Sequence, residues 1–222
     1  LAGGTVIDPV SKMAGEVRDI WIRGGKIVSP PTESVAHTTI DVSGRIVMAG
    51  AVDMHCHIAG PKVNTARKMQ SEQQRSNPQS LTALEDGILH SGSLGSVPSI
   101  FTTGYRYTGL GYTTCFDAAI PPLAARHAHF EFEQIPNVDT GFFTMVGNNH
   151  YLMDCIARGD ESGLQSFLGW LMNRVGAFAP KIVNPGGVEL WKQSRNGNAR
   201  DLDQKVDGFG VTPRQIIQSV TR

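Results

Sequence analysis

What this chain lacks bounds it before any motif does. No apolar stretch approaches the roughly 20 residues that a membrane-spanning helix needs. Neither sign of charge dominates: 20 Lys and Arg stand against 20 Asp and Glu, so nothing advertises a nucleic acid or an anionic membrane as a partner. The three cysteines, Cys56, Cys115 and Cys155, are odd in number and lack CxxC spacing. That pattern argues against a disulfide framework and fits a reducing cytoplasm. There is no internal repeat or low-complexity tract, and no GxGxxG follows a strand-like run, which disfavours a Rossmann-type binding module. What is present suffices for a sizeable core: 222 residues, 40% of them hydrophobic.

The most informative segment is Asp53-Met54-His55-Cys56-His57, which follows the apolar run Ile46 to Val52. A run of that kind, bounded by Arg45 and Asp53, predicts a buried strand. Side chains alternate along a strand, so His55 and His57 project to one side and Cys56 to the other, where it packs. Two imidazoles on one side of a strand end can chelate one metal ion, zinc above all. The plain alternative is a pair of satisfied histidines in a turn. Gly60-Pro61 marks that turn.

Residues 1–47 read as short strands joined by turns. Thr5-Val6-Ile7, Asp19 to Arg23 and Lys26-Ile27-Val28 are the strand-like runs, with a hairpin turn at Gly24-Gly25, and together they predict a small antiparallel β-region. Over residues 48–222 the texture changes to strands separated by helical patterns, which predicts βα units, a parallel sheet and the α/β class. Further strands are expected at Tyr112 to Phe116, Gly141 to Val146 and Phe178 to Val183. Helices are expected at Pro122 to Gln134, Tyr151 to Arg158 and Asp160 to Val175. The polar stretch 69–99, rich in Ser, Gln and Gly, reads as a long loop. The chain opens on Leu1 inside a strand-like pattern and closes on a helix just begun, with Thr212 as N-cap and Pro213 behind it. This predicts a piece cut from a longer polypeptide, with further ligands beyond Arg222.

Other residues carry two readings each. Lys181 sits at the end of a strand-like run, before Asn184-Pro185-Gly186-Gly187. It reads as a solvated strand-end lysine, or as one carbamylated by carbon dioxide into an oxygen ligand able to bridge two divalent metals. Asn148, Asn149 and His150 follow another strand and read as capping and turn residues or as pocket lining. His127 and His129 form a second HxH on a helical pattern, where positions two apart do not share a face, and read as surface or packing histidines. Lys62, Arg67 and Arg106 are solvated charges or contacts for an anionic substrate tail.

Taken together these residues resemble the metal-dependent amidohydrolase superfamily, whose entry pattern matches Gly50-Ala51-Val52-Asp53-x-His55-x-His57 after a small β-region. Narrower segments are similar to the family of A subunits of formylmethanofuran dehydrogenase and of the bacterial formyltransferase/hydrolase complex. They are His57-Ile58-Ala59-Gly60-Pro61-Lys62-Val63-Asn64, Thr103 to Tyr107, Pro121 to His127, Gly147-Asn148-Asn149-His150 and Lys181 to Glu189. The resemblance implies the first part of a TIM-like (β/α)8 barrel over 48–222, preceded by the β-region. It implies two zinc ions, with His55 and His57 on the first and carboxylated Lys181 bridging both, and a pocket lined by Asn148, Asn149 and His150. The catalytic aspartate and two more histidines would lie beyond Arg222. The implied reaction is hydrolysis, or in reverse formation, of the N-formyl amide of formylmethanofuran or a related furan cofactor. The implied partners are the other subunits of such a complex. The rival expectations are an amidohydrolase of the dihydroorotase or hydantoinase type and a non-catalytic scaffold subunit.

Overall fold

β-branched residues alternating with polar ones build the first sheet. In the computed structural model, which describes residues 1–69, 100–193 and 201–222, β1 (Gly4–Asp8) pairs antiparallel with β2 (Met13–Arg18). The short strands β3 (Trp21–Arg23) and β4 (Lys26–Val28) form a hairpin whose turn, Gly24-Gly25, has positive φ at both residues. That is the geometry a tight hairpin demands and glycine supplies without strain. β5 (Ile46–Met48) then pairs with β1 in parallel, so the first region is mixed rather than purely antiparallel. β2 carries little apolar alternation, which is why only its pairing reveals it.

The run Ile46 to Val52 is not one buried strand. It breaks at Ala49-Gly50, residues of low strand propensity, into β5 and β6 (Ala51–Cys56), which belong to different sheets. The chain divides at the same place into two compact units, Leu1–Ala51 and Val52–Arg222. Nor is β6 buried here: among the described residues it pairs with β7 alone, and Val52 and Met54 are exposed.

The second unit follows a β/α rhythm. After β6 come α1 (Gly60–Met69), α2 (Phe101–Gly109), β7 (Tyr112–Ile120), a 3-10 turn (Pro122–Ala124) and α3 (Ala125–Phe132). Next are β8 (Asp139–Met145), α4 (His150–Arg158), α5 (Glu161–Val175), β9 (Ala179–Lys181), α6 (Gly187–Gln193) and α7 (Pro213–Val220). The expected loop at 69–99 falls, beyond Met69, outside the described residues. The sheet order is β6-β7-β8-β9, with β7–β8 and β8–β9 parallel. Gly60-Pro61 opens α1 instead of only marking a turn: Gly60 holds φ 85° and Pro61 takes the first helical turn, where its missing N–H costs nothing.

Local chemistry sets the ends of these helices. Asn149 caps α4 by accepting the Leu152 N–H at 3.0 Å, and Asp160 caps α5 by accepting the Gly163 N–H at 2.8 Å. Thr212 and Gln215 form a capping box on α7, with Pro213 in its first turn. α4 packs against α5 and α7, and the buried core runs through Ile120, Phe142, Val146, Leu152, Met153 and Ile216. Gly104 on α2 presses on the carbonyl of Pro136, a contact that leaves no room for a Cβ.

Candidate metal centre

His55 ends β6 but for one residue, and His57 follows the strand directly. The two rings lie on one side, 5.9 Å apart between centroids and nearly perpendicular, and both side chains are exposed. Cys56 turns the other way and is buried, its thiol donating to the Phe116 carbonyl at 3.1 Å. Behind the pair, the Asp53 carboxylate accepts the His55 N–H at 3.0 Å and the Tyr107 hydroxyl at 3.3 Å.

The bend after His57 is gripped by two buried carboxylates that composition and spacing do not reveal. Asp117 on β7 accepts the Ile58 and Ala59 N–H groups at 2.8 and 3.1 Å, and its other oxygen lies 3.7 Å from His57 Nδ1. Glu131 on α3 accepts the Gly60 N–H and the Asn64 amide, and pairs with His127 at 3.3 Å. Arg67 closes the arrangement by donating to the Ile58 carbonyl and the Asn64 side chain, each at 3.0 Å. Burial lowers the Arg67 guanidinium from its ordinary value, and the charge of Glu131 opposes that shift. The signal that could have found Asp117 is its place inside an otherwise apolar strand, where a carboxylate is tolerated only with partners.

Lys181 ends β9 opposite Met145 in the parallel register, half-buried, its carbonyl accepting the Val146 N–H at 3.0 Å. It therefore shares the C-terminal edge of the sheet with the end of β8, which Lys62 at the start of α1 also reaches, 3.9 Å from the Met145 sulfur. Asn148 joins the exits of β8 and β9, donating to the Asn184 carbonyl and accepting the Val188 N–H, both at 3.0 Å. Asn149 is occupied as the α4 cap, and His150 Nε2 lies 3.0 Å from Glu189 with its ring against Phe209. Lys192 and His150 both hold Glu189 below the usual carboxylate range, the lysine more strongly. His127 and His129 diverge, His129 meeting the Val175 carbonyl at 2.8 Å while His127 faces Glu131.

A cleft of about 490 Å³ opens beside His57, and Lys62, Arg67, Arg106 and Tyr107 line it. Its electrostatics favour anions, although Arg67 is already engaged with the backbone. Among the described residues, no third His, Cys, Asp or Glu joins the histidine pair to complete a metal site. Two imidazoles on one face of a strand end are nevertheless donors of a type that suits a divalent cation. No helix among the described residues is long and apolar enough to cross a membrane.

Known proteins resemble this chain in sequence and fold. Residues 38–165 match the model of the amidohydrolase family. Protein FwdA of Methanocaldococcus jannaschii is 39% identical over 220 residues, 99% of this chain but 37% of its own length. The A subunit of the formyltransferase/hydrolase complex Fhc of Methylorubrum extorquens is 30% identical over 98% of the chain and 38% of its own. The chain thus spans well under half of these relatives. The crystal structure of the Methylorubrum extorquens formyltransferase/hydrolase complex with methylofuran superposes with a TM-score of 0.82 at 28% identity, over 98% of this chain and 38% of that one. The parallel sheet is accordingly part of a TIM-like barrel behind an N-terminal β-region, as the sequence led us to expect. With the family model covering more than half of its residues and the HxH strand inside that match, the chain belongs to the amidohydrolase family.

Proposed function

We propose that His55, His57 and carboxylated Lys181 are ligands of a binuclear zinc centre in an A-type subunit that hydrolyses, or in reverse forms, the N-formyl amide of a methanofuran-type cofactor. The observation that carries this reading is the histidine pair, two rings 5.9 Å apart on one face of a barrel-strand end. Similarity to FwdA and to the Fhc protein over nearly the whole chain supports the formamide substrate and the expectation of partner subunits. Zinc held by His55, His57 and Lys181 would supply Lewis-acid chemistry, activating water and polarising the formyl group.

The chain's own residues do the rest. Asp53 fixes the backbone of His55, and Asp117 with Glu131 fixes the bend that carries His57, so both rings are presented without loop freedom. Asn148 ties the turn after Lys181 to the exit of β8 and so holds the lysine's strand end in place. Lys62 and Arg106 give the adjoining cleft a positive field that draws an anionic substrate portion toward His57. Asn148, Asn149 and His150, at the exit of β8, would line the substrate pocket of the complete barrel. The proton-transferring aspartate and the remaining ligands implied by the family resemblance are assigned to none of the described residues. Buried, unpaired cysteines support a cytoplasmic setting.

The test is zinc content and formate release by the full-length protein with a formylated furan amine, alongside Lys181→Ala and His55→Ala. Two zinc ions per chain and formate release that both variants abolish are expected. Zinc without formate release would favour a different amidohydrolase substrate, and a chain without zinc would favour a scaffold role.

A further inference from the structure

Asp117 enters the reading above only through its hold on the main chain after His57, and its second carboxylate oxygen faces the ring itself. It is 1% exposed, yet it sits on a strand among apolar neighbours. Its hydrogen bonds come from the neutral backbone N–H groups of Ile58, Ala59 and Ala119, at 2.8, 3.1 and 3.1 Å. Those bonds satisfy its lone pairs, and a buried carboxylate is best tolerated beside a group able to pair with it. Among the described residues its ion pair is with His57, Oδ1 to Nδ1 at 3.7 Å. The His57 side chain is 53% exposed, so the ring has room to move the fraction of an ångström that separates this contact from a hydrogen bond.

We propose that Asp117 is a positioning residue for His57: its carboxylate accepts the Nδ1–H, fixes that tautomer, and turns Nε2 toward the metal. The inference rests on the metal-centre reading above. An imidazole that ligates through Nε2 becomes a stronger donor at Nδ1, so the ion bound on one side of the ring and the carboxylate on the other reinforce each other. The same carboxylate grips the two residues after His57, which restricts the ring's backbone and its orientation through one group. Asp53 makes no such contact with the His55 ring; it holds the His55 N–H instead. The two ligands are therefore supported differently, one at the imidazole and one at the main chain.

The experiment compares zinc affinity of the full-length protein with Asp117→Asn, using competition against a chromophoric chelator, and reads the His57 tautomer by long-range 1H–15N NMR with labelled histidine. Thr144→Val is the control, since it removes another buried hydrogen bond, 3.2 Å to the Ile120 carbonyl, without touching His57. Asp117→Asn is expected to weaken zinc binding by about 10–100-fold, while Thr144→Val leaves it unchanged. In the zinc-loaded protein His57 is expected to carry its proton on Nδ1. Wild-type zinc affinity in Asp117→Asn, or an equal loss in the control, overturns the positioning role and leaves the metal centre standing. A proton on Nε2 overturns it as well, and that measurement needs only wild-type protein should the variant fail to fold. A wild-type chain that binds no zinc overturns the metal-centre reading and this inference with it.

Discussion

A thiol lying between two histidines invites the idea of a reactive or ligating cysteine, and the environment of Cys56 argues against it. Desolvation pushes its pKa up to about 12, and Cys115 on the neighbouring strand is pushed to about 11 for the same leading reason. The thiolate is what reacts and ligates, so both side chains are inert near neutrality. Native protein at pH 8 should therefore leave Cys56 and Cys115 unmodified by iodoacetamide, and denatured protein should alkylate them fully. Rapid labelling of native Cys56 would contradict its burial. The sign of the pH effect follows: a thiol whose folded pKa exceeds its unfolded value stabilises the fold fully below the unfolded value. That contribution is lost as pH rises from the ordinary 9.0 toward about 12. At this same scale the sequence was legible where a rule has a period. The alternation of His55, Cys56 and His57 is as expected, whereas the partners of Asp117 and Glu131 were hidden because they lie 58 to 71 residues away in the chain.

At the scale of elements, caps and turns decide more than propensity does. Asn149 is at once a member of the Gly147 to His150 segment and the N-cap of α4. Asn149→Ala should cost about 1 kcal/mol of stability, read from urea denaturation, because the Leu152 N–H loses its acceptor. A variant as stable as the parent would mean that water replaces the cap. β1, β4, the hairpin between β3 and β4, and helices α4 and α5 could be placed from sequence, since each joins a clear hydrophobic period to a stop signal. β2 could not, because its side chains are largely exposed and only its pairing with β1 makes it a strand. The split of Ile46 to Val52 was hidden for the opposite reason: both halves are apolar, and hydrophobicity does not say which sheet a strand joins. α2 was missed as well. Its Gly104 lowers helix propensity, yet tertiary contact with Pro136 requires a residue without a side chain.

For the whole molecule, the proposed metal is a ligand that binds the folded state and not the unfolded one. Zinc at a hundredfold excess over its dissociation constant should then add about 2.7 kcal/mol to the stability of the full-length protein. Thermal melts with zinc and after chelation, run side by side, measure this. A melting temperature indifferent to zinc would count against a centre that couples to the fold. The α/β class was legible from alternating strand and helix patterns, whereas the barrel was expected from the family resemblance and not from any local period. Closure depends on sheet order and parallel register, which no local pattern encodes.

The grip of Asp117 on the Ile58 and Ala59 N–H groups also orders events in time. The contact closes a span of 59 residues, so it forms only after β7 has docked beside β6. Local helices such as α4 and α5 need no such closure and are free to form first. On that order the histidine pair would acquire its orientation late, with the HxH segment present before it is aimed. Zinc of the proposed centre, offered before that docking, would meet two loosely tethered imidazoles. Faithful loading would follow folding of this unit, and kinetic competence for metal becomes a readout of when the second strand arrives.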